Sequence, residues 1–265
     1  KYTISGDTSR LDAHFNSCRA AGASPHICFG LGIPEELKLS NEAVARKVGV
    51  MGQQPGNYTF WNGDGAKFKA YIKAYLEYVI IKNKFSNARF EVGNEPDIDG
   101  QFPRHPGPEM SKGTVKLYEE YFGIYKLIAE ASSEFERERG VKVCLGGPAA
   151  AWAFTFKFGD LNWADRFIKD CATKGLKLDF IGLHFYGNIG SLHGEYQGSF
   201  PSFEEMYAQT KKTRDEYLPQ APIIFTEWGP SYVVDNSEKA FVNGNYQGTA
   251  WSAEFMNTLL NTGVE

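Results

Sequence analysis

Five short apolar runs, at 25–31, 88–92, 141–146, 180–184 and 222–226, alternate along the chain with longer stretches whose apolar residues recur at helical spacing. A strand followed by a helix, repeated, is the signature of a parallel sheet with helical crossovers. The runs are continuously apolar rather than alternating, which suits strands covered on both faces. In stretch 66–82, Phe68, Tyr71, Ile72, Tyr75, Leu76, Val79 and Ile80 fall on one helical face, while Lys69, Lys73 and Glu77 fall elsewhere. Stretches 114–139, 163–174, 202–216 and 246–261 read likewise, and 11–21 adds a shorter helix before the first run. This order predicts the α/β class and, for 265 residues, one (β/α)8 TIM barrel domain over 1–265. Five strand signals are fewer than the eight that a closed barrel needs.

Composition narrows the partners. A formal net charge of -4 argues against nucleic acid, because a phosphate-binding face needs a clustered excess of Lys and Arg. No apolar run approaches the roughly 18 residues of a membrane span, and the first residues lack the apolar stretch of a signal peptide. The compartment stays open, a secreted or periplasmic one being expected ahead of a cytoplasmic one. Cys18, Cys28, Cys144 and Cys171 show neither metal-ligand spacing nor a CxxC pair, and they read as buried free thiols. Histidines with metal-ligand spacing are absent as well, so no metal and no cofactor is expected. Aromatic residues make up 15% of the chain, and many lie in loops or at strand ends. Most should pack the core, while a few could present flat faces to sugars.

The long loops, 30–65, 93–113, 147–162 and 186–201, follow the strand runs, and in an α/β barrel that side is the catalytic rim. Two runs deliver a carboxylate there. Phe90-Glu91-Val92-Gly93-Asn94-Glu95-Pro96 ends a strand in Asn-Glu-Pro, and Ile223-Ile224-Phe225-Thr226-Glu227-Trp228-Gly229 ends another in a glutamate. Glycoside hydrolysis uses such a pair: one carboxyl protonates the leaving oxygen and the other meets the positive charge at the anomeric carbon.

In this order the residues resemble glycoside hydrolase clan A, where Asn-Glu ends the fourth barrel strand and a second glutamate ends the seventh. Within the clan the chain is most similar to glycoside hydrolase family 39, the family of β-xylosidases and α-iduronidases. Supporting segments are Arg10-Leu11-Asp12, Gly32-Ile33-Pro34, Leu145-Gly146-Gly147-Pro148-Ala149 and Asp179-Phe180-Ile181-Gly182-Leu183-His184-Phe185-Tyr186. The resemblance maps the chain onto barrel strands three to seven and implies a larger parent chain. It also implies a retaining mechanism with Glu95 as acid/base and Glu227 as nucleophile. Asn94 should then bind the sugar 2-hydroxyl, while His184 and Tyr186 touch the substrate or the nucleophile. The mechanism requires Glu227 ionised while Glu95 holds a proton. Gly93 departs from the large aromatic usual before Asn-Glu, and Gly229 from the Asn that often follows the nucleophile's neighbour; both bear on the sugar rather than on the carboxylates.

Trp61, Trp152 and Trp228 are candidate sugar platforms, whereas Trp163 and Trp251 should pack and His193 reads as a loop residue. Gly146-Gly147 is no phosphate loop, since neither a GxGxxG fingerprint nor a Walker lysine follows. The expected partner is an oligosaccharide or polysaccharide, and the leading function is a retaining β-glycosidase of β-xylosidase type. Competing readings are an endo-acting glycanase of the same clan, a catalytically inactive glycan-binding barrel, and an unrelated carbohydrate lyase or esterase. The esterase lacks its GxSxG elbow.

Overall fold

The computed structural model describes residues 8–29, 33–38, 62–97, 114–150, 157–158, 161–187, 203–230, 246–262 and 264. Five parallel strands form the main sheet: β1 (His26–Phe29), β2 (Arg89–Val92), β3 (Cys144–Ala150), β6 (Phe180–Tyr186) and β7 (Ile223–Gly229). They pair in that order, so each crossover places the next sheet strand beside the last. The helices are α1 (Ser9–Ala21), α2 (Gly65–Leu76), α3 (Thr114–Arg139), α4 (Trp163–Thr173), α5 (Phe203–Tyr217) and α6 (Tyr246–Thr262). This is the (β/α) half-barrel that the alternation predicts, and every strand run is present.

Two sequence expectations need correction. Stretch 147–162 was expected to be loop, but β3 continues to Ala150 and the two-residue strands β4 (Lys157–Phe158) and β5 (Leu161–Asn162) pair as an antiparallel hairpin. Gly-Gly-Pro hides the strand because none of the three favours an extended run. Stretch 66–82 was expected to be one regular helix. Instead α2 gives way to a wider π turn, Glu77–Lys82, closed by the Asn83 amide on the Tyr78 carbonyl at 3.0 Å. Tyr78, Val79 and Ile80, three consecutive residues, are all buried within this turn.

Capping and packing explain the helices locally. Asp64 caps α2 by accepting from the Lys67 amide at 3.0 Å, and Asn162 caps α4 by accepting from the Asp165 amide at 2.7 Å. Between α3, α4 and the sheet lies an aromatic layer in which Tyr125 meets Phe167 edge-on at 4.6 Å and Tyr121 meets Trp163 at 5.6 Å. Its tyrosines are tied down: Tyr121 donates to the Val92 carbonyl at 2.8 Å and Tyr125 to the Lys177 carbonyl at 2.7 Å, while the buried Trp163 Nε1 has no partner among the described residues. The first of these bonds fixes α3 to the last residue of β2, where the rim begins. Trp163 is fully buried, as expected for a packing residue, and Trp251 packs against Phe255 at 5.0 Å. All four cysteines are free, but only Cys18 and Cys171 are buried. Cys28 is exposed and Cys144 half-buried.

Candidate active site

Past Val92 the chain turns sharply. Gly93 has φ 102, and a Cβ there would lie 3.1 Å from both the Pro148 carbonyl oxygen and the Tyr121 ring. This backbone explains why a glycine stands where the resembling family carries an aromatic. Asn94 follows, half-buried, and Glu95 itself has φ 50. A non-glycine residue there costs on the order of 1–3 kcal/mol and persists only where its surroundings hold it. Here the Glu95 amide donates to the Ala149 carbonyl at 2.8 Å. Ala149 is the extra residue of a bulge in β3, because Pro148 pairs with Gly182 and Ala150 with Leu183.

A matching bulge shapes β7. Leu183 pairs with Phe225 and His184 with Glu227, leaving Thr226 as the extra residue. Glu227 thereby points to the interior, where β6 presents His184 and Tyr186, two residues apart on one strand face. His184 is 3% exposed. Its Nδ1 lies 3.2 Å from Glu95 Oε1 and 3.6 Å from Glu227 Oε2. With its proton on that nitrogen, the ring donates to Glu95, and Glu227 Oε2 lies just beyond hydrogen-bond distance. The Tyr186 hydroxyl donates to Glu227 Oε1 at 2.5 Å. Burial, then the bond to Glu227 and the two negative charges, push the Tyr186 phenol well above its ordinary value, so it remains a donor at neutral pH.

Ligand atoms of Glu95, His184 and Glu227 all lie within 4.8 Å of one another. Such a trio has the donor types of a divalent-cation site. Sequence spacing could not reveal it, because the three residues come from three strands. On β1, Cys28 donates its thiol to the Gly93 carbonyl at 2.8 Å. Solvent reaches one side of this cysteine, yet protein packed about the sulfur, then the charges of Glu91 and Glu227, push the thiol up to about 12.

Residues 9–245 match the glycosyl hydrolases family 39. The chain belongs to that family. This family 39 chain is 24% identical over 234 residues to a β-xylosidase of Geobacillus stearothermophilus, covering 84% of the chain and 40% of that protein. It therefore spans about two fifths of that relative's length. Among solved structures, a family 39 β-xylosidase of Caulobacter crescentus superposes with TM-score 0.58 at 21% identity, over 91% of this chain and 45% of that one. The family 39 enzyme of Xanthomonas axonopodis pv. citri superposes with TM-score 0.57 at 21% identity, over 88% and 42%. These likenesses establish the barrel fold to which the five strands belong.

Of the site residues read from sequence, the structure brings Glu95, His184, Tyr186 and Glu227 together, with Asn94 beside Glu95. Trp228 lies elsewhere: it alternates to the helix side of β7, and its indole packs against Trp251 at 6.3 Å and Phe255 at 5.3 Å of α6. Its ring is 37% exposed at the rim but does not face the carboxylates. Trp61, Trp152 and His193 lie outside the described residues. Sequence reading passed over Glu91, His26 and Thr226. Glu91 is a carboxylate 4% exposed within an apolar strand, and a charge in such a run was the available signal.

Proposed function

We propose that this chain carries the catalytic centre of a retaining glycoside hydrolase, with Glu227 as nucleophile and Glu95 as acid/base. The observation that carries the reading is the approach of a Glu95 and a Glu227 carboxylate oxygen to within 4.8 Å. Retaining enzymes hold their carboxyl groups roughly 5–5.5 Å apart, whereas inverting ones need about 6.5–9.5 Å to admit a water. In the first step a Glu227 oxygen attacks the anomeric carbon as its bond to the leaving oxygen breaks, and Glu95 gives that oxygen a proton. In the second, Glu95 takes a proton from water, whose oxygen displaces Glu227. Tyr186 holds one Glu227 oxygen so that the other aims at the sugar, and His184 keeps the two carboxyls in register.

The substrate is an oligosaccharide or polysaccharide, and the β-xylosidase relatives make a β-xyloside the first choice. Asn94, at the rim beside Glu95, is placed to meet the sugar 2-hydroxyl. The five strands are read as the third to seventh of one catalytic barrel domain. A glycan-binding barrel without activity would not need two carboxylates this close, so catalysis is the better account.

The test is hydrolysis of a panel of aryl β-glycosides by the full-length protein, with the first-formed sugar followed by proton NMR. The β anomer should appear first and then mutarotate. First appearance of the α anomer would establish inversion and remove Glu227 as nucleophile.

A further inference from the structure

Beneath the two proposed catalytic carboxylates lies a third, which the mechanism does not use. Glu91 points into the barrel interior from β2 and is 4% exposed. His26 Nε2 of β1 lies 3.0 Å from its Oε2, and the Thr226 hydroxyl of β7 donates to its Oε1 at 2.9 Å. Measured along the sheet, β2 and β7 are three strand spacings apart, about 14 Å in a flat sheet. The contact is direct because the sheet curls and because β6 carries no side chain in the way. A Cβ on Gly182 would lie 1.7 Å from Glu91 Oε1. The interior face of β6 therefore runs Phe180, Gly182, His184, Tyr186, with the one gap where the Glu91 carboxylate crosses.

What Glu91 grips is the bulge that aims Glu227. Thr226 has no partner in the β6–β7 ladder. An unpaired bulge residue is free to rock unless its side chain is anchored, and any rotation there swings the next residue. We propose that Glu91, steadied by His26, is a positioning residue for Glu227: through Thr226 it locks the bulge that points the nucleophile at the anomeric carbon. The inference rests on the reading of Glu227 as nucleophile. It adds to that reading a network from β1, β2 and β7 that touches neither sugar nor leaving group.

The test measures how fast Glu227 is labelled in the full-length protein by a 2-deoxy-2-fluoro β-glycosyl fluoride, using the sugar the wild type cleaves fastest. This reagent carries its own good leaving group, so its rate reports nucleophile aim with little help from Glu95. Thr226→Val and Thr226→Ala remove the hydroxyl, while Thr226→Ser keeps it. Both hydroxyl-free variants should lose about tenfold in labelling rate and in kcat, the scale of one hydrogen bond to a charged group, with KM within about twofold of wild type. Thr226→Ser should stay near wild type. Combining Glu91→Gln with Thr226→Val should cost less than the product of the two single losses, since both cut one linkage. A folded Thr226→Val or Thr226→Ala protein that labels at the wild-type rate overturns the proposal, as do multiplicative losses in the double variant. A wild type that hydrolyses glycosides but is labelled at another residue overturns the nucleophile reading itself.

Discussion

Glu95 and Glu227 reach each other by different backbone devices, and each device constrains its residue. Glu95 sits at φ 50 on an amide held by Ala149, and Glu227 follows the bulge at Thr226. Their shared neighbours then set the chemistry. The Tyr186 hydroxyl is a neutral donor on a carboxylate, a bond stronger than a neutral pair. Tyr186→Phe should lower kcat about tenfold or more with little change in KM, as read by steady-state kinetics on an aryl glycoside. Unchanged kcat would mean that Tyr186 only fills space. At this scale the sequence was legible where a strand ended in a charge: Glu95, His184, Tyr186 and Glu227 all lie at the rim. It was less legible for Trp228, because only the bulge at Thr226 decides which of two neighbours faces the interior. Glu91 read as part of a strand, since its partners are 65 and 135 residues away.

The elements follow their sequence signals closely, and the departures share a cause. The π turn after α2 and the bulges of β3 and β7 each insert one residue into a regular element, and no local pattern announces them. Helix α4 carries a second kind of compromise. Asp165, in its first turn, is 1% exposed and accepts from Gln209 at 2.7 Å, but its Oδ1 has no partner. Burial raises its pKa, only partly offset by Gln209 and Thr213, so its ionised form is the disfavoured one. The stability cost is absent below the unfolded value near 3.8 and accumulates as pH rises through the folded value. Asp165→Asn should therefore raise stability at pH 7 by about 1 kcal/mol, and the gain should vanish near pH 3. Thermal unfolding at the two pH values checks this, and destabilisation at pH 7 would show that the carboxylate serves the helix N-terminus instead.

At the scale of the molecule, the repeated strand and helix order was enough to predict a parallel α/β sheet. Assigning the five runs to consecutive barrel strands, three to seven, implies that each pairs with the next, and the structure has them in that order, β1-β2-β3-β6-β7. The curl of that sheet turns separate strand ends into one site, bringing Glu91 to Thr226 and Glu95 to Glu227. The chain belongs to family 39 and spans about two fifths of the length of the Geobacillus relative. In the proposed reaction the two glutamates have different parts, and azide rescue separates them. Full-length Glu227→Ala should be nearly inactive on an aryl β-glycoside and regain activity with azide, yielding the α-glycosyl azide by direct displacement. Glu95→Ala should instead yield the β-glycosyl azide, because azide there intercepts the glycosyl-enzyme. The opposite assignment of anomers, or rescue of neither variant by a protein active as wild type, would contradict the account.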